Sequence, residues 1–142
     1  NVLIVDDDPW VRALLTDILE FENIGVFTAA SGPAALSLIE TCRALDCILI
    51  DYHMPNMDGV AVIRKIQQND HLTQTRLFLM SAEWPAQRHA DELAVGFVRK
   101  PFELTELLRR LRNEEAEVGP LSRKGSGDNP DSDADSRRSP FI

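Results

Sequence analysis

Short apolar runs alternate five times with stretches of helical periodicity, and few architectures can absorb such a rhythm. The runs are VLIV from Val2, IGVFTA from Ile24, CILI from Cys47, LFLM from Leu77 and GFV from Gly96. Runs this short, with no polar alternation, suit strands covered on both faces, as in a parallel sheet. Between them lie apolar stripes at i, i+3, i+4, i+7. These are Val11, Leu14, Leu15, Ile18 and Leu19; Ala35, Leu38, Ile39 and Cys42; Gly59, Val62, Ile63 and Ile66; and Leu104, Leu107, Leu108 and Leu111. The segment from Ala86 to Leu93 is apolar mainly through Ala90 and Leu93, so a short helix less firmly held by the core is expected there. Asp8 before Pro9, and Asp58 before Gly59, supply capping carboxylates at two helix starts.

This pattern predicts an α/β fold, a doubly wound five-stranded parallel sheet with helices on both faces. Right-handed crossovers leave few topologies, and the order 2-1-3-4-5 is expected. The pattern ends near residue 112, and the last thirty residues change character. From Gly119 onward Gly, Pro, Ser, Asp and Arg dominate, too polar to offset the entropy of ordering the chain. The expected organisation is one domain over residues 1–115 and a disordered acidic, Ser-rich tail or linker over 116–142.

Charge and composition exclude several classes. The net charge of -8 argues against a nucleic-acid surface, which needs clustered Lys and Arg. No apolar run approaches the roughly 18 residues of a membrane-spanning helix. Cys42 and Cys47 lack the further Cys or His that zinc needs, so two reduced cysteines in a cytoplasmic protein are expected. His71 and His89 show no metal-ligand spacing and are expected to face solvent.

The residues that follow the strands carry the chemistry. The first run ends in Asp6, Asp7 and Asp8, the third in Asp51, the fourth in Ser81 and the fifth in Lys100. In a parallel sheet these C-terminal ends share one edge, and ligands bind there where the strand order reverses. Three close carboxylates repel one another, and a divalent cation relieves this; oxygen ligands with incomplete protein coordination favour Mg2+. One acid in such a site can attack a phosphoryl donor and form an aspartyl phosphate. Mg2+, the Ser81 hydroxyl and the Lys100 ammonium would then neutralise the phosphoryl oxygens.

The motifs VLIVDDD, ILIDYHMPNMDG, LMSAE and GFVRKPFE, in this order and spacing, resemble those of the receiver domain of two-component response regulators, of the chemotaxis-regulator type. The resemblance runs from Val2 to about Arg112 and carries a flavodoxin-like (α/β)5 fold with it. It implies that Asp51 is the phosphoacceptor. It implies that Asp6, Asp7, Asp51 and the backbone carbonyl of His53 hold Mg2+, and that Ser81 and Lys100 contact the phosphoryl group. The Lys100–Pro101 bond is expected to be cis, and Gly59 to supply close approach or a positive φ. Ser81 and Phe97 would form a coupled switch, and His53 and Glu83 would flank the water that hydrolyses the phosphoryl group.

The implied partners are a histidine kinase or histidine phosphotransfer protein upstream. Downstream they are a protein target or an output domain, reached through the face of helix 4, strand 5 and helix 5, which could also support a homodimer. Three other readings compete. A haloacid-dehalogenase-type phosphatase would use the first Asp as nucleophile and an acidic pair after the Lys, where this chain has Pro-Phe-Glu. A flavodoxin-like FMN carrier needs a hydroxyl- and Gly-rich loop in place of three acids. A silent scaffold would not need the intact Asp6, Asp7, Asp51, Ser81 and Lys100 set.

Overall fold

The computed structural model describes residues 1–42 and 44–113. Five strands, β1 (Val2–Val5), β2 (Val26–Ala29), β3 (Cys47–Asp51), β4 (Arg76–Ser81) and β5 (Gly96–Arg99), form one parallel sheet in the order β2-β1-β3-β4-β5. The helices are α1 (Pro9–Phe21), α2 (Gly32–Thr41), α3 (Gly59–Gln67), α4 (Trp84–Glu92) and α5 (Leu104–Leu111), with a single 3-10 turn at Asp70–Leu72. The boundary expected at residue 115 and the tail 116–142 lie outside the described residues.

The two-residue period of the strands divides the core. Leu3, Val5, Ile48, Ile50 and Leu79 face α2, α3 and α4, whose Ala35, Ile39, Ile63, Ile66, Ala86 and Ala90 close over them. Val2, Ile4, Cys47, Leu49, Met80 and Val98 face the other way, against Leu15 and Leu19 of α1 and Leu107, Leu108 and Leu111 of α5. Every residue of β1 and β3 is buried, as runs without alternation require. Burial of this kind pushes the Cys47 thiol up to about 12, so it packs as an apolar group.

Two expectations fail at the periphery. The run at β2 does not lie between two layers: it is an edge strand, and Phe27 and Thr28 are exposed. Two stripe positions also miss the core. Leu14 is 55% exposed and Leu104 44% exposed, because each helix meets the sheet along only one line and these residues fall at its margin.

Helix ends follow the sequence closely. The Asp8 carboxylate accepts from the Trp10 N–H at 2.9 Å, and Asp58 accepts from the Ala61 N–H at 2.8 Å. At the other end of the layer, Arg76 donates to the Arg110 and Leu111 carbonyls and so ties the last turn of α5 to β4.

Gly59 opens α3 for a steric reason. It has no positive φ; a Cβ there would lie 2.4 Å from the Asp51 carbonyl oxygen and 2.8 Å from Leu79 Cδ1. The positive φ in this loop belongs to Asn56, at 69°. Gly59→Ala should therefore cost about 1–3 kcal/mol, the usual range for overpacking. Denaturant titration measures it, and an unchanged midpoint would mean that the Asp51 carbonyl gives way freely.

Candidate functional site

The C-terminal ends of β1, β3, β4 and β5 bring the polar residues together. Among the described residues, the buried polar side chains are Asp6, Asp51 and Ser81, at 0%, 7% and 2% exposure. Asp6 is fixed by its neighbours: its Oδ1 accepts from the Asp8 N–H at 2.9 Å, and its carbonyl accepts from Arg12 Nη1 at 2.7 Å. Asp51 stands one residue beyond the Ile50–Leu79 pair, opposite Met80. The Lys100 N–H donates to the Ser81 carbonyl at 3.0 Å, and the Lys100–Pro101 bond is cis, as expected.

Lys100 Nζ donates to Asp6 Oδ2 at 2.9 Å and to Asp51 Oδ1 at 3.0 Å. Carboxylate oxygens of Asp6, Asp7 and Asp51 all lie within 4.8 Å of one another. One ammonium thus pairs with two members of a three-acid cluster, and the charge is not balanced. Burial pushes the Asp51 carboxyl above its usual range; Lys100 opposes the shift, while Asp6 and Asp7 add to it. Burial pulls the Lys100 ammonium down, but its bonds and charge contacts with Asp6 and Asp51 outweigh that, and its pKa rises. The donor set is all hard oxygen, partly buried and short of positive charge, which fits a small divalent cation.

The remaining expected residues take different places. Ser81 Oγ accepts from the Glu83 N–H at 3.0 Å, which fixes the turn into α4. His53 and Glu83 are both exposed, and their side chains pair at 3.1 Å, linking the β3–α3 loop to the start of α4. Phe97 is half-buried against the core layer under α2, α3 and α4, and its carbonyl accepts from Arg110. It lines a groove of about 480 Å³ between α4, β5 and α5, with Trp84, Arg99, Glu106 and Arg110. At its rim the Arg99 guanidinium lies 4.1 Å from the centre of the Trp84 ring.

One expectation is corrected. His89 is not simply solvent-facing: its ring stacks on Tyr52 with centroids 5.6 Å apart, and the His53 ring meets Tyr52 edge-on at 4.7 Å. Nothing in the sequence spacing announces this contact, since it joins α4 to a loop 37 residues earlier. His71 is exposed, as expected. No helix among the described residues is long and apolar enough to cross a membrane.

Comparison with known proteins agrees with this geometry. Residues 2–112 match the family described as response regulator receiver domain. The heme response regulator HssR of Staphylococcus aureus (strain MRSA252) is 34% identical over 110 residues, which cover 78% of this chain and 49% of that protein. The chain therefore spans about half the length of the curated relatives it matches. The chemotaxis response regulator CheY4 of Vibrio cholerae superposes with a TM-score of 0.72 at 27% identity, over 79% of this chain and 95% of that one. The receiver domain of the Francisella response regulator 1452 gives a TM-score of 0.71 at 26% identity, over 82% and 97%. With its sheet order, its acidic edge and a family match over residues 2–112, the chain belongs to the receiver domains of two-component response regulators, a family that takes up phosphoryl groups on aspartate.

Proposed function

We propose that Asp51 is the phosphoacceptor of this receiver and that its donor is a histidine kinase or a histidine phosphotransfer protein. The observation that carries the reading is the Lys100 ammonium held between Asp6 and Asp51 at 2.9 and 3.0 Å, with Asp7 beside them. Lys100 engages Asp51 Oδ1, so the other carboxylate oxygen attacks phosphorus. A P–O bond forms, the P–N bond to the donor imidazole breaks, and that nitrogen leaves with the electron pair. Asp6, Asp7, Asp51 and the His53 backbone carbonyl would hold Mg2+, which supplies positive charge to the acids and to the phosphoryl oxygens. Lys100 neutralises one phosphoryl oxygen and Ser81 donates to another, giving up its bond from the Glu83 N–H or sharing its oxygen with it.

Ser81 and Phe97 act as the switch. Ser81 turns toward the phosphoryl group, and Phe97 turns into the space left behind, shifting the population of the α4–β5–α5 face. That face, with its groove beside Phe97, contacts the downstream protein or output domain, or a second copy of the chain. His53 and Glu83 stand where they bracket the water that hydrolyses the aspartyl phosphate. All of this takes place in the cytoplasm.

The test is intact-mass spectrometry of the full chain after incubation with Mg2+ and acetyl phosphate, followed by peptide mapping of the labile adduct. An adduct on Asp51 is expected; an adduct on another carboxylate would remove the assignment. The pH profile of the same labelling follows from the raised Asp51 pKa. The protonated acid is a poor nucleophile, so labelling should fall as pH drops, with a midpoint above the ordinary 3.8. More Mg2+ should move that midpoint down, because the cation favours the charged carboxylate. A midpoint at or below 3.8, without dependence on Mg2+, would contradict the burial argument.

A further inference from the structure

α4 rests lightly on the body of the domain. Only Ala86 and Ala90 of this helix are buried, and its N-cap residue, Glu83, makes no side-chain capping bond. Its last turn ends in Ala94 at a φ of 56°, a conformation that costs a residue with a Cβ. A helix held by two methyl groups depends on its few polar and aromatic ties. At its C-terminal end, Gln67 of α3 donates to the Leu93 carbonyl at 2.8 Å. At its start Trp84 meets the Arg99 guanidinium of β5. Two further ties lead to one short stretch of chain: Glu83, before the first turn, pairs with His53, and His89, in the last turn, stacks on Tyr52.

Tyr52 is a stiff pedestal for that stack. Its N–H donates to the Met80 carbonyl at 2.8 Å, and its carbonyl accepts from the Gly59 N–H at 3.0 Å. Its peptide bonds join it directly to Asp51 on one side and to His53 on the other. The His53 ring packs edge-on against one part of the Tyr52 ring while the His89 ring lies nearly parallel to it, at an interplanar angle of 21°. A shift of the Asp51 or His53 peptide therefore turns the Tyr52 ring, and the stacked His89 must follow or lose the contact.

We propose that His89 is a positioning residue: through its stack on Tyr52 it couples the phosphoacceptor loop to the orientation of α4, by a route separate from Ser81 and Phe97. The inference rests on Asp51 as phosphoacceptor. It assigns the Tyr52–His89 pair a role that neither residue's own chemistry requires, because neither contacts the acid cluster through its side chain. The coupling runs in both directions. Whatever fixes α4 through the stack also tightens the loop around Asp51, and by the same factor. Aromatic pairs of this kind contribute enough for a change of about threefold to tenfold.

Hydrogen exchange read by mass spectrometry on the full chain tests this, with wild type beside His89→Ala, His89→Phe and Glu92→Gln. Without ligand, amides of residues 52–58 should exchange about threefold faster or more in His89→Ala and at the wild-type rate in His89→Phe, which keeps a stacking ring. Glu92→Gln removes the carboxylate 3.7 Å from His89 Nδ1 and should behave as wild type. With Mg2+ and beryllium fluoride, a phosphoryl mimic, the change in exchange over α4 should be at least halved in His89→Ala and restored in His89→Phe. Acetyl phosphate should still label Asp51 in His89→Ala. Unchanged loop exchange in His89→Ala, a full α4 response in it, or failure of His89→Phe to restore either would each overturn the coupling. A wild type that takes no adduct on Asp51 would overturn the phosphoacceptor reading instead, while the unliganded loop exchange still decides whether the stack ties the two elements.

Discussion

Asp51→Asn should take up no phosphoryl group from acetyl phosphate and should fold at least as stably as the wild type in the absence of divalent metal. The first half follows from the loss of the nucleophilic oxygen: an amide cannot form the acyl phosphate. The second half is less intuitive and comes from the electrostatics of the cluster. Asp51 is buried beside Asp6 and Asp7, and burial raises its pKa in spite of its bond from Lys100. A carboxyl whose folded pKa exceeds its unfolded value binds more protons in the folded chain, so stability falls as pH rises through that window. At neutral pH the ionised Asp51 is thus a net cost to the fold. Asparagine keeps the volume and the acceptor oxygen for Lys100 while removing the charge.

Lys100 then has Asp6, at 2.9 Å, as its one paired carboxylate, the better ion pairing of the two because Asp6 is wholly buried. Denaturant titrations from pH 4 to 8 should show a smaller fall in stability with pH for the variant than for the wild type. Stabilisation by Mg2+ should shrink as well, since one of its carboxylate ligands has become an amide. A variant markedly less stable than wild type without metal would mean that the Asp51–Lys100 bond outweighs the burial cost. The sign of the argument would then be wrong, even if phosphorylation were lost as expected.

Much of this site was legible because its residues follow strands directly. Once the runs ending before Asp6, Asp51, Ser81 and Lys100 are parallel neighbours, their last residues share an edge, and no side-chain detail is needed to bring them together. The exposure of the edge strands was not legible in their own residues. The runs at β2 and β5 have the same apolar look as β1, and it is the expected strand order, not the run itself, that leaves them half uncovered. Nor can the stripes say which of their members sit at the margin of the contact: periodicity alone points Leu14 and Leu104 inward, and both are exposed. Gly59 was open between two reasons, and only the 2.4 Å approach of the Asp51 carbonyl decides for close packing. The Tyr52–His89 stack depends on the precise height of α4 over the sheet, a tertiary quantity that no local pattern encodes.

Lys100→Met carries the other large effect, with the opposite sign. The ammonium bridges two acids of which one side chain is 1% and the other 10% exposed, and it is itself mostly covered. Methionine fills the space but leaves Asp6 and Asp51 facing each other with Asp7 nearby and no counter-charge. Removing one partner from a buried ion pair costs about 3–5 kcal/mol, and uptake of a proton by one carboxylate holds the loss near the lower figure. The raised pKa of Lys100 agrees in sign: the stability it contributes is present at all pH values below the unfolded 10.5 and disappears only above the folded value.

The metal-free variant should therefore be less stable than wild type at pH 7 by about 3 kcal/mol and should recover partly as pH falls and Asp51, whose pKa burial already raises, takes up a proton. Mg2+ should restore more stability to it than to the wild type, because the cation no longer competes with an ammonium for the same oxygens. At a free concentration one hundred times Kd that restoration reaches about 2.7 kcal/mol. Calorimetry of Mg2+ binding beside denaturant curves with and without the metal separates two roles for this residue. Tighter Mg2+ binding with lower metal-free stability makes Lys100 the counterion of the acid cluster. Weaker Mg2+ binding would instead make it the strut that holds Asp6 and Asp51 in register, and the acids would then need the lysine before they could hold a cation at all.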